Sequence, residues 1–321
     1  MSYLPEQRPI HVAGAVTVIG ITLARSIHYI SSLFMMAYLS PEVIGEFAFA
    51  MFLMLTIYTF LTTGVESRII AMESGKNYLA ESWTIEILRG GLTFLIILFV
   101  YIYAFYNHSL SPAYEYLTVL GVGIFIRCGK NIKMVTSRKA LDMLPIFYVE
   151  LGSAICLLIV SVVLVILYQS GWALALGYLS GSIAYTFLSF RFLPREGPVL
   201  KFNTSRFREI FSYTKRLMFS AQIVSFFENI IPLLISHIFG LAALGFFEKS
   251  DLYTRKIIAQ LTQVFWIVGL PWASRNSRGN RQVTEILALI LLFFVVLAIP
   301  SLVALSIFVP KLLVSVGGLD W

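Results

Sequence analysis

The sequence predicts an all-α integral membrane protein with about nine transmembrane helices. Of its 321 residues, 58% are hydrophobic and only 13% are charged, and the mean hydropathy is +0.84. Soluble chains carry about 25% charged residues, because a water-soluble domain keeps much of its surface in contact with water. The composition therefore excludes a soluble enzyme.

Nine stretches approach or reach the length of roughly 20 mostly apolar residues that spans a bilayer. They cover residues 12–38, 43–65, 84–106, 115–137, 145–168, 171–190, 212–237, 243–271 and 283–309. The first is too long for the core of a signal peptide and lacks a small-residue cleavage site, so we expect it to stay attached. Arg127 and Lys130 fall inside the fourth, which either crosses completely or ends early and continues as a helix along the cytoplasmic face.

Basic residues predict the orientation of these helices. One set of connections holds 18 of the 24 Lys and Arg residues, whereas the short connections on the opposite side hold none. Since cytoplasmic loops of membrane proteins are enriched in Lys and Arg, the N-terminus is predicted to lie in the cytoplasm. The net charge of +7 is then a topology signal, and we expect no nucleic-acid partner.

The chain resembles itself at an offset of 200 residues. Residues 39–49 (LSPEVIGEFAF) align with residues 239–249 (FGLAALGFFEK), so that Gly45 coincides with Gly245. Both segments are predicted to form turns on the outer side, and the two glycines would allow neighbouring helices to approach closely. Residues 40–42 (Ser-Pro-Glu) have the order of an N-cap, a first-turn proline and an acid at a helix start. Internal repeats are how many transporters build a central site between two lobes.

Four segments carry a family resemblance. They read ARSIHYISSLFMMAYLSPEVIGEFAFAMFLMLTIYTFLTTGVESRII, SRKALDMLPIFYVELGSAI, GWALALGYLSG and FFENIIPLLISHIFGLAALGFFEKSDLYTRKIIAQLTQVFWIVGLPWASR. In them the chain resembles the O-antigen-type flippases of the multidrug/oligosaccharidyl-lipid/polysaccharide exporter superfamily, and the similarity covers essentially the whole chain. The shared motifs, such as Leu-Ser-Pro-Glu, are helix-turn features and not catalytic signatures.

The resemblance implies two six-helix lobes around a cavity that faces the two sides of the membrane alternately. It implies that a polyprenyl-diphosphate-linked oligosaccharide, an O-antigen or other surface polysaccharide repeat unit, moves from the cytoplasmic to the outer leaflet of the bacterial inner membrane. Residues 1–200 would form the N-terminal lobe, and residues 201–321 a partial C-terminal lobe of about three helices. Because relatives usually have twelve or more helices, we expect the chain to be C-terminally truncated. Expected partners are this glycolipid, membrane lipid and other polysaccharide assembly proteins, with no cofactor.

Several charged residues lie inside the predicted helices, where a charge costs about 2.5–3.5 kcal/mol and therefore faces a cavity or a partner. Arg25 either binds the substrate diphosphate, whose oxygens a guanidinium matches, or pairs with an acid of another helix. Glu228 is either a proton or cation coupling site or the structural partner of an arginine. Glu86 and Arg89 share one helical face, which favours a local ion pair at the cytoplasmic rim over the alternative of a substrate contact.

The eighth stretch carries an unusual number of charges in its outer half. They are Glu248, Lys249, Asp251, Arg255 and Lys256. Such a surface must meet water or protein, because no lipid-facing helix tolerates it. Arg255 shares a face with Asp251 and Glu248 and is predicted to pair with one of them, while Lys249 and Lys256 are expected to line a water-filled cavity used by the anionic substrate.

Two other functions stay open, namely a cation-coupled drug or metabolite antiporter of the same superfamily and an inactive truncated product. A glycolipid polymerase or ligase would need a sizeable outer loop carrying catalytic side chains, and the predicted outer loops are only a few residues long. We therefore expect no enzyme activity. The sequence contains no ATP-binding loop, metal-ligand spacing or catalytic motif, and Cys128 and Cys156 are expected to be packing residues.

Overall fold

The computed structural model describes residues 29–66, 76–108, 111–140, 142–194 and 203–253, together with residues 23, 27, 69, 200 and 201. Residues 29–36 are helical. The helices that follow are α1 (Pro41–Phe60), α2 (Lys76–Tyr106), α3 (Pro112–Cys128), α4 (Lys133–Ala140), α5 (Leu144–Tyr168), α6 (Trp172–Phe192), α7 (Thr204–Phe239) and α8 (Leu241–Tyr253). Within these residues the fold contains no strand.

Five helices of the described chain are long and apolar enough to cross a membrane. They are Pro41–Phe60, Leu79–Tyr106, Leu144–Tyr168, Trp172–Phe192 and Gln222–Phe239. These helices coincide with the second, third, fifth, sixth and seventh predicted stretches, which confirms an all-α membrane protein. The ninth stretch and most of the first and eighth lie outside the described residues, and the assignment of residues 1–200 and 201–321 to two lobes stays a prediction.

The fourth predicted stretch ends early, as one of its two interpretations required. Helix α3 is 17 residues long and ends at Cys128. The chain breaks at Gly129 and begins the separate eight-residue helix α4 at Lys133. Because the break removes Lys130 from the apolar helix, its ammonium group does not have to be accommodated within a continuous transmembrane segment.

Local sequence explains where α1 begins. The Ser40 side chain accepts a hydrogen bond from the backbone N–H of Val43 at 3.5 Å, Pro41 occupies the first turn, and Glu42 follows it. This confirms the predicted capping arrangement, in which the hydroxyl satisfies an orphan donor and the acid favours the positive end of the helix dipole.

Small residues allow α5 and α6 to pack closely. A side chain at Gly177 would overlap the hydroxyl of Ser161, and a Cβ at Gly181 would lie 3.0 Å from the Cβ of Leu157. The Gly-x-x-x-Gly spacing in α6 therefore serves close helix packing, as membrane helices commonly use it. The large apolar side chains of α2 and α5 that face away from this packing are exposed, among them Leu95, Phe99, Ile159 and Ile166, as expected of surfaces that face lipid.

Candidate functional site

Helices α1 and α8 cross in direct backbone contact at two glycines. A Cβ built at Gly45 would overlap the carbonyl oxygen of Leu241, and a Cβ built at Gly245 would overlap the carbonyl oxygen of Pro41. Each glycine Cβ would also lie 3.2 Å from the backbone nitrogen of the other glycine. The predicted close approach at Gly45 and Gly245 is confirmed. The two contacts are reciprocal, because the offset of 200 converts the contact of Gly45 with Leu241 into that of Gly245 with Pro41.

The side chains around this crossing show the same reciprocity. One buried cluster contains Leu33, Met35, Ile44 and Leu252. A second contains Leu233, Ile235, Leu244 and Phe52, their equivalents at the offset of 200. The segment 29–36 with α1 and the helix α7 with α8 are therefore two helix pairs that pack against each other through equivalent surfaces.

Lys249 joins the two helix pairs one turn of α8 after Gly245, on the inner side of the crossing. Its ammonium group donates a hydrogen bond to the Ser32 hydroxyl at 2.7 Å and lies 3.2 Å from the Glu248 carboxylate. The residue is only 6% exposed. In this structure Lys249 contacts protein, because a hydroxyl and a carboxylate compensate its buried charge, and the cavity-lining role expected from its helical face stays a prediction.

Of the other candidate site residues from the sequence, the structure describes two and leaves three outside the described residues. Asp251 is 7% exposed, so this part of α8 meets protein, which is one of the two environments predicted for it. Glu228 is exposed and lies six residues after the start of the span Gln222–Phe239. Arg25, Arg255 and Lys256 lie outside the described residues, so the proposed pair of Arg255 with Asp251 stays a prediction.

A second polar site, which the sequence did not predict, lies at the inner end of the helices, meaning the end that the basic residues predict to be cytoplasmic. The Glu66 carboxylate lies 2.6 Å from the Lys130 ammonium and 3.5 Å from the Arg138 guanidinium. We call these three residues the Glu66 site. It joins the connection after α1 to the break between α3 and α4 and to α4 itself.

The charges of the Glu66 site control the ionisation of its acid. Burial alone would raise the pKa of Glu66, but the Lys130 ammonium and, more weakly, the Arg138 guanidinium outweigh it and hold this pKa below its usual range. The carboxylate is therefore charged at neutral pH. Its side chain is 34% exposed and that of Arg138 is 35% exposed, so water reaches the site.

Hydrogen bonds fix the backbone that carries Lys130. The Asn131 amide donates to the carbonyl oxygens of Ser189 and Pro194, both at 3.4 Å, and the Asn131 side-chain oxygen accepts from the backbone N–H of Lys133 at 3.0 Å. The Trp83 indole donates to the carbonyl oxygen of Lys130 at 3.0 Å. The break between α3 and α4 is thus a defined structure that orients Lys130 toward Glu66.

The predicted ion pair of Glu86 and Arg89 is confirmed and is more buried than a rim position implies. The Arg89 guanidinium donates to the Glu86 carboxylate at 3.1 Å, and the two side chains are 9% and 4% exposed. Glu86 also accepts from the Thr63 hydroxyl at 3.1 Å, and the guanidinium lies 3.9 Å from the centre of the Tyr58 ring. The pair stabilises the packing of α1 against α2.

Sequence reasoning missed the Glu66 site because it counted Lys130 and Arg138 only as orientation signals. A weak signal existed, since Glu66 directly follows the second predicted stretch, on the side where the basic residues collect. Among the described residues, no group of three or more His, Cys, Asp or Glu is placed to hold a metal ion. Cys128 and Cys156 are free thiols in this structure.

The fold and the site define a class of protein, namely an all-α membrane protein in which two equivalent helix pairs meet at a crossing and charges are buried between helices. A family model described as "Polysaccharide biosynthesis protein" matches residues 35–321, and the chain belongs to this family. The match covers the crossing, the Glu66 site and all of the helices α1 to α8. The comparisons with curated proteins and with solved structures gave no match.

Proposed function

We propose that this protein is a flippase that moves a polyprenyl-diphosphate-linked oligosaccharide from the cytoplasmic to the outer leaflet of the bacterial inner membrane. Its family gives it a role in polysaccharide biosynthesis or export, and its helices make it a membrane protein. The observation that carries the proposal is the reciprocal contact of Gly45 and Gly245 between two equivalent helix pairs. Related helix groups that meet around a shared axis are the architecture with which many transporters alternate access to a central site.

Alternating access uses this crossing as a pivot. Glycine brings the two backbones together without interlocking side chains, so α1 and α8 can rotate against each other while they stay in contact. The inner end of α1 is held less firmly, by the Gln222 amide that donates to the Phe60 carbonyl oxygen at 3.0 Å and by the rings of Phe60 and Phe226 at 5.9 Å. Breaking these contacts between α1 and α7 opens the inner side.

The residues outside the crossing supply substrate binding and coupling. Arg25 binds the lipid diphosphate, because a planar guanidinium forms two parallel hydrogen bonds to phosphate oxygens. Glu228 couples transport to a proton or a cation, since an acid inside a membrane span is costly unless it faces a polar partner or cavity. Neither role includes bond-making chemistry, and the protein is not an enzyme. The N-terminus lies in the cytoplasm, and other polysaccharide assembly proteins are its partners.

The test is a flipping assay in proteoliposomes. A polyprenyl-diphosphate-linked oligosaccharide with a fluorescent group on its sugar is incorporated, and a membrane-impermeant reductant quenches the label on the outside. Wild-type protein should increase the quenched fraction from about half to nearly all of the label, because flipping exposes the inner pool. Protein-free liposomes and liposomes with an unrelated membrane protein are the controls. No increase in the presence of any ion gradient would reject the proposal.

Arg25 and Glu228 are tested in the same assay. Arg25→Ala should slow flipping strongly and Arg25→Lys should restore part of it, while Arg191→Ala, at the exposed inner end of α6, should have no effect. Glu228→Gln should remove the dependence on an ion gradient. Full activity of both Arg25→Ala and Glu228→Gln would contradict these roles.

The alternative is a cation-coupled antiporter of drugs or metabolites, which the exposed position of Glu228 within a membrane-spanning helix also supports. An antiporter would export a small cationic dye from everted vesicles when a cation gradient is applied, and it would leave the labelled glycolipid in place. The two assays on one preparation therefore separate the two functions.

A further inference from the structure

The Glu66 site holds more positive than negative charge. One carboxylate faces two cations, and only the contact to Lys130, at 2.6 Å, has the length of a strong charge-assisted hydrogen bond. The Arg138 contact, at 3.5 Å, is long, and a guanidinium has five donors. Helix α4 itself carries Lys133, Arg138 and Lys139 and no acid. A dianionic or trianionic group would balance these charges better than one carboxylate does.

The position of the Glu66 site suits a phosphate group that arrives within the membrane. The site lies at the predicted cytoplasmic ends of α1 and α3, and Trp83, a residue type that favours the membrane interface, bonds to the Lys130 carbonyl oxygen. Lipid phosphates lie at the same level as these groups. Glu66 also follows Phe60 by six residues, and Phe60 contacts α7 through Gln222 and Phe226. A stretch of six residues therefore connects the site to the contact that must open on the inner side.

We propose that Lys130 and Arg138 form a binding site for the diphosphate of a polyprenyl lipid at the cytoplasmic face, and that the Glu66 carboxylate occupies this site until the diphosphate displaces it. This inference rests on the proposed function and adds a first binding step to it. The displacement is non-covalent, since the two cations exchange one anionic partner for another. It frees Glu66, and with it the connection that follows α1, from the break between α3 and α4.

The exchange predicts opposite effects for the acid and the bases of the Glu66 site. Binding of a polyprenyl diphosphate to the purified full-length protein in detergent is measured by microscale thermophoresis. Glu66→Gln should tighten binding about tenfold, because the diphosphate no longer competes with a carboxylate, and Lys130→Gln should weaken it about tenfold. Arg138→Gln should weaken binding by a smaller factor, about threefold, because its contact is longer and more exposed.

Matched variants and probes keep the test specific. Glu42→Gln makes the same change at an exposed outer position, Arg191→Gln removes an exposed inner cation, and both should bind the lipid like wild type. Glu66→Asp keeps the charge but withdraws the carboxylate from Lys130, so it should tighten binding slightly and gives an answer if Glu66→Gln does not fold. Inorganic diphosphate and phosphatidylglycerol are titrated separately to distinguish a free anion and an ordinary lipid headgroup from a diphosphate lipid.

Three results would overturn this site. One is a wild-type affinity for the polyprenyl diphosphate in all three of Glu66→Gln, Glu66→Asp and Lys130→Gln, which would leave flipping as the proposed function but place the diphosphate elsewhere. The second is weaker binding by Glu66→Gln in a folded protein, which would make Glu66 a structural support. The third is equally tight binding of phosphatidylglycerol, which would make the site one for general lipid. A wild-type protein that binds no polyprenyl diphosphate at all would contradict the proposed substrate as well.

Discussion

Replacement of the crossing glycines by alanine tests whether the two helix pairs depend on backbone contact. At Gly45 the added Cβ would overlap the Leu241 carbonyl oxygen and lie 2.6 Å from its carbonyl carbon. Carbon atoms in contact prefer separations of about 3.5–4.0 Å, so α1 and α8 would have to move apart by roughly 1 Å. At Gly245 the added Cβ would lie 2.9 Å from the Pro41 carbonyl carbon, so the two helices would have to move apart by less than for Gly45.

The expected loss of folding stability follows from this overlap. Forcing an extra methyl group into a packed interface destabilises proteins by about 1–3 kcal/mol, and a backbone carbonyl cannot rotate away as a side chain can. Gly45→Ala should therefore lower the stability by about 2–3 kcal/mol and Gly245→Ala by about 1–2 kcal/mol. The double variant should cost less than the sum of both, because the first alanine already separates the helices.

Thermal unfolding of the purified protein in detergent, followed by tryptophan fluorescence, measures these effects. Gly91→Ala is the matched control, since a Cβ at this α2 position would lie at an ordinary 3.7 Å from the Phe125 ring, and alanine improves helix propensity. The same variants are then compared in the flipping assay, where the two crossing variants should lose transport. If Gly45→Ala and Gly245→Ala unfold at the same temperature as Gly91→Ala, the close crossing is wrong.

Three further substitutions test the buried charges. Lys249→Met should destabilise the protein by about 3 kcal/mol, because it removes the buried ammonium that lies beside the Glu248 carboxylate, and Lys249→Met with Glu248→Gln should recover much of this loss in a double-mutant cycle of unfolding temperatures. Arg89→Met should cost about 3–5 kcal/mol for the same reason, with recovery by Glu86→Gln, and additive effects would argue against the pair. Glu66 has a lowered pKa in the folded protein, so its contribution to stability is present above its unfolded pKa and disappears as the pH falls through the folded value. Unfolding temperatures measured between pH 6 and pH 3 should therefore decrease more for wild type than for Glu66→Gln, and parallel curves would refute this linkage.

The sequence was sufficient for those features that have a local or a periodic cause. Apolar stretches of membrane-spanning length predicted the helices, and the residues Ser40 and Pro41 predicted the start of α1. The glycines of the crossing were predictable because each occurs in a repeat at a fixed offset, so that one position pointed to the other. A spacing of three residues likewise predicted the pair of Glu86 and Arg89, since such residues share one helical face.

The Glu66 site could not be predicted in this way, because its residues are distant in the chain and follow no common period. Glu66 and Lys130 are 64 positions apart, and they meet only because α3 ends at Cys128 and Asn131 fixes the break that follows. The partners of Lys249 could not be predicted for the same reason. Its helical face predicted a polar environment, but which group satisfies the ammonium depends on where the segment 29–36 packs, and Ser32 is 217 positions away.

The contacts of α1 indicate how opening at the two sides of the membrane would be coupled in the proposed mechanism. At its outer end α1 touches α8 through backbone atoms at Gly45, a contact with almost no freedom to lengthen without being lost. At its inner end α1 is held by side-chain contacts, among them the Gln222 hydrogen bond, the Phe226 ring and the Arg89 guanidinium over Tyr58, and its connection continues to Glu66. Side-chain contacts can be exchanged one at a time, whereas a backbone contact acts as a fixed point. A diphosphate that displaces Glu66 would therefore release the end of α1 that moves most during rotation about the crossing, so that substrate arrival and inner-side movement are linked through a single helix.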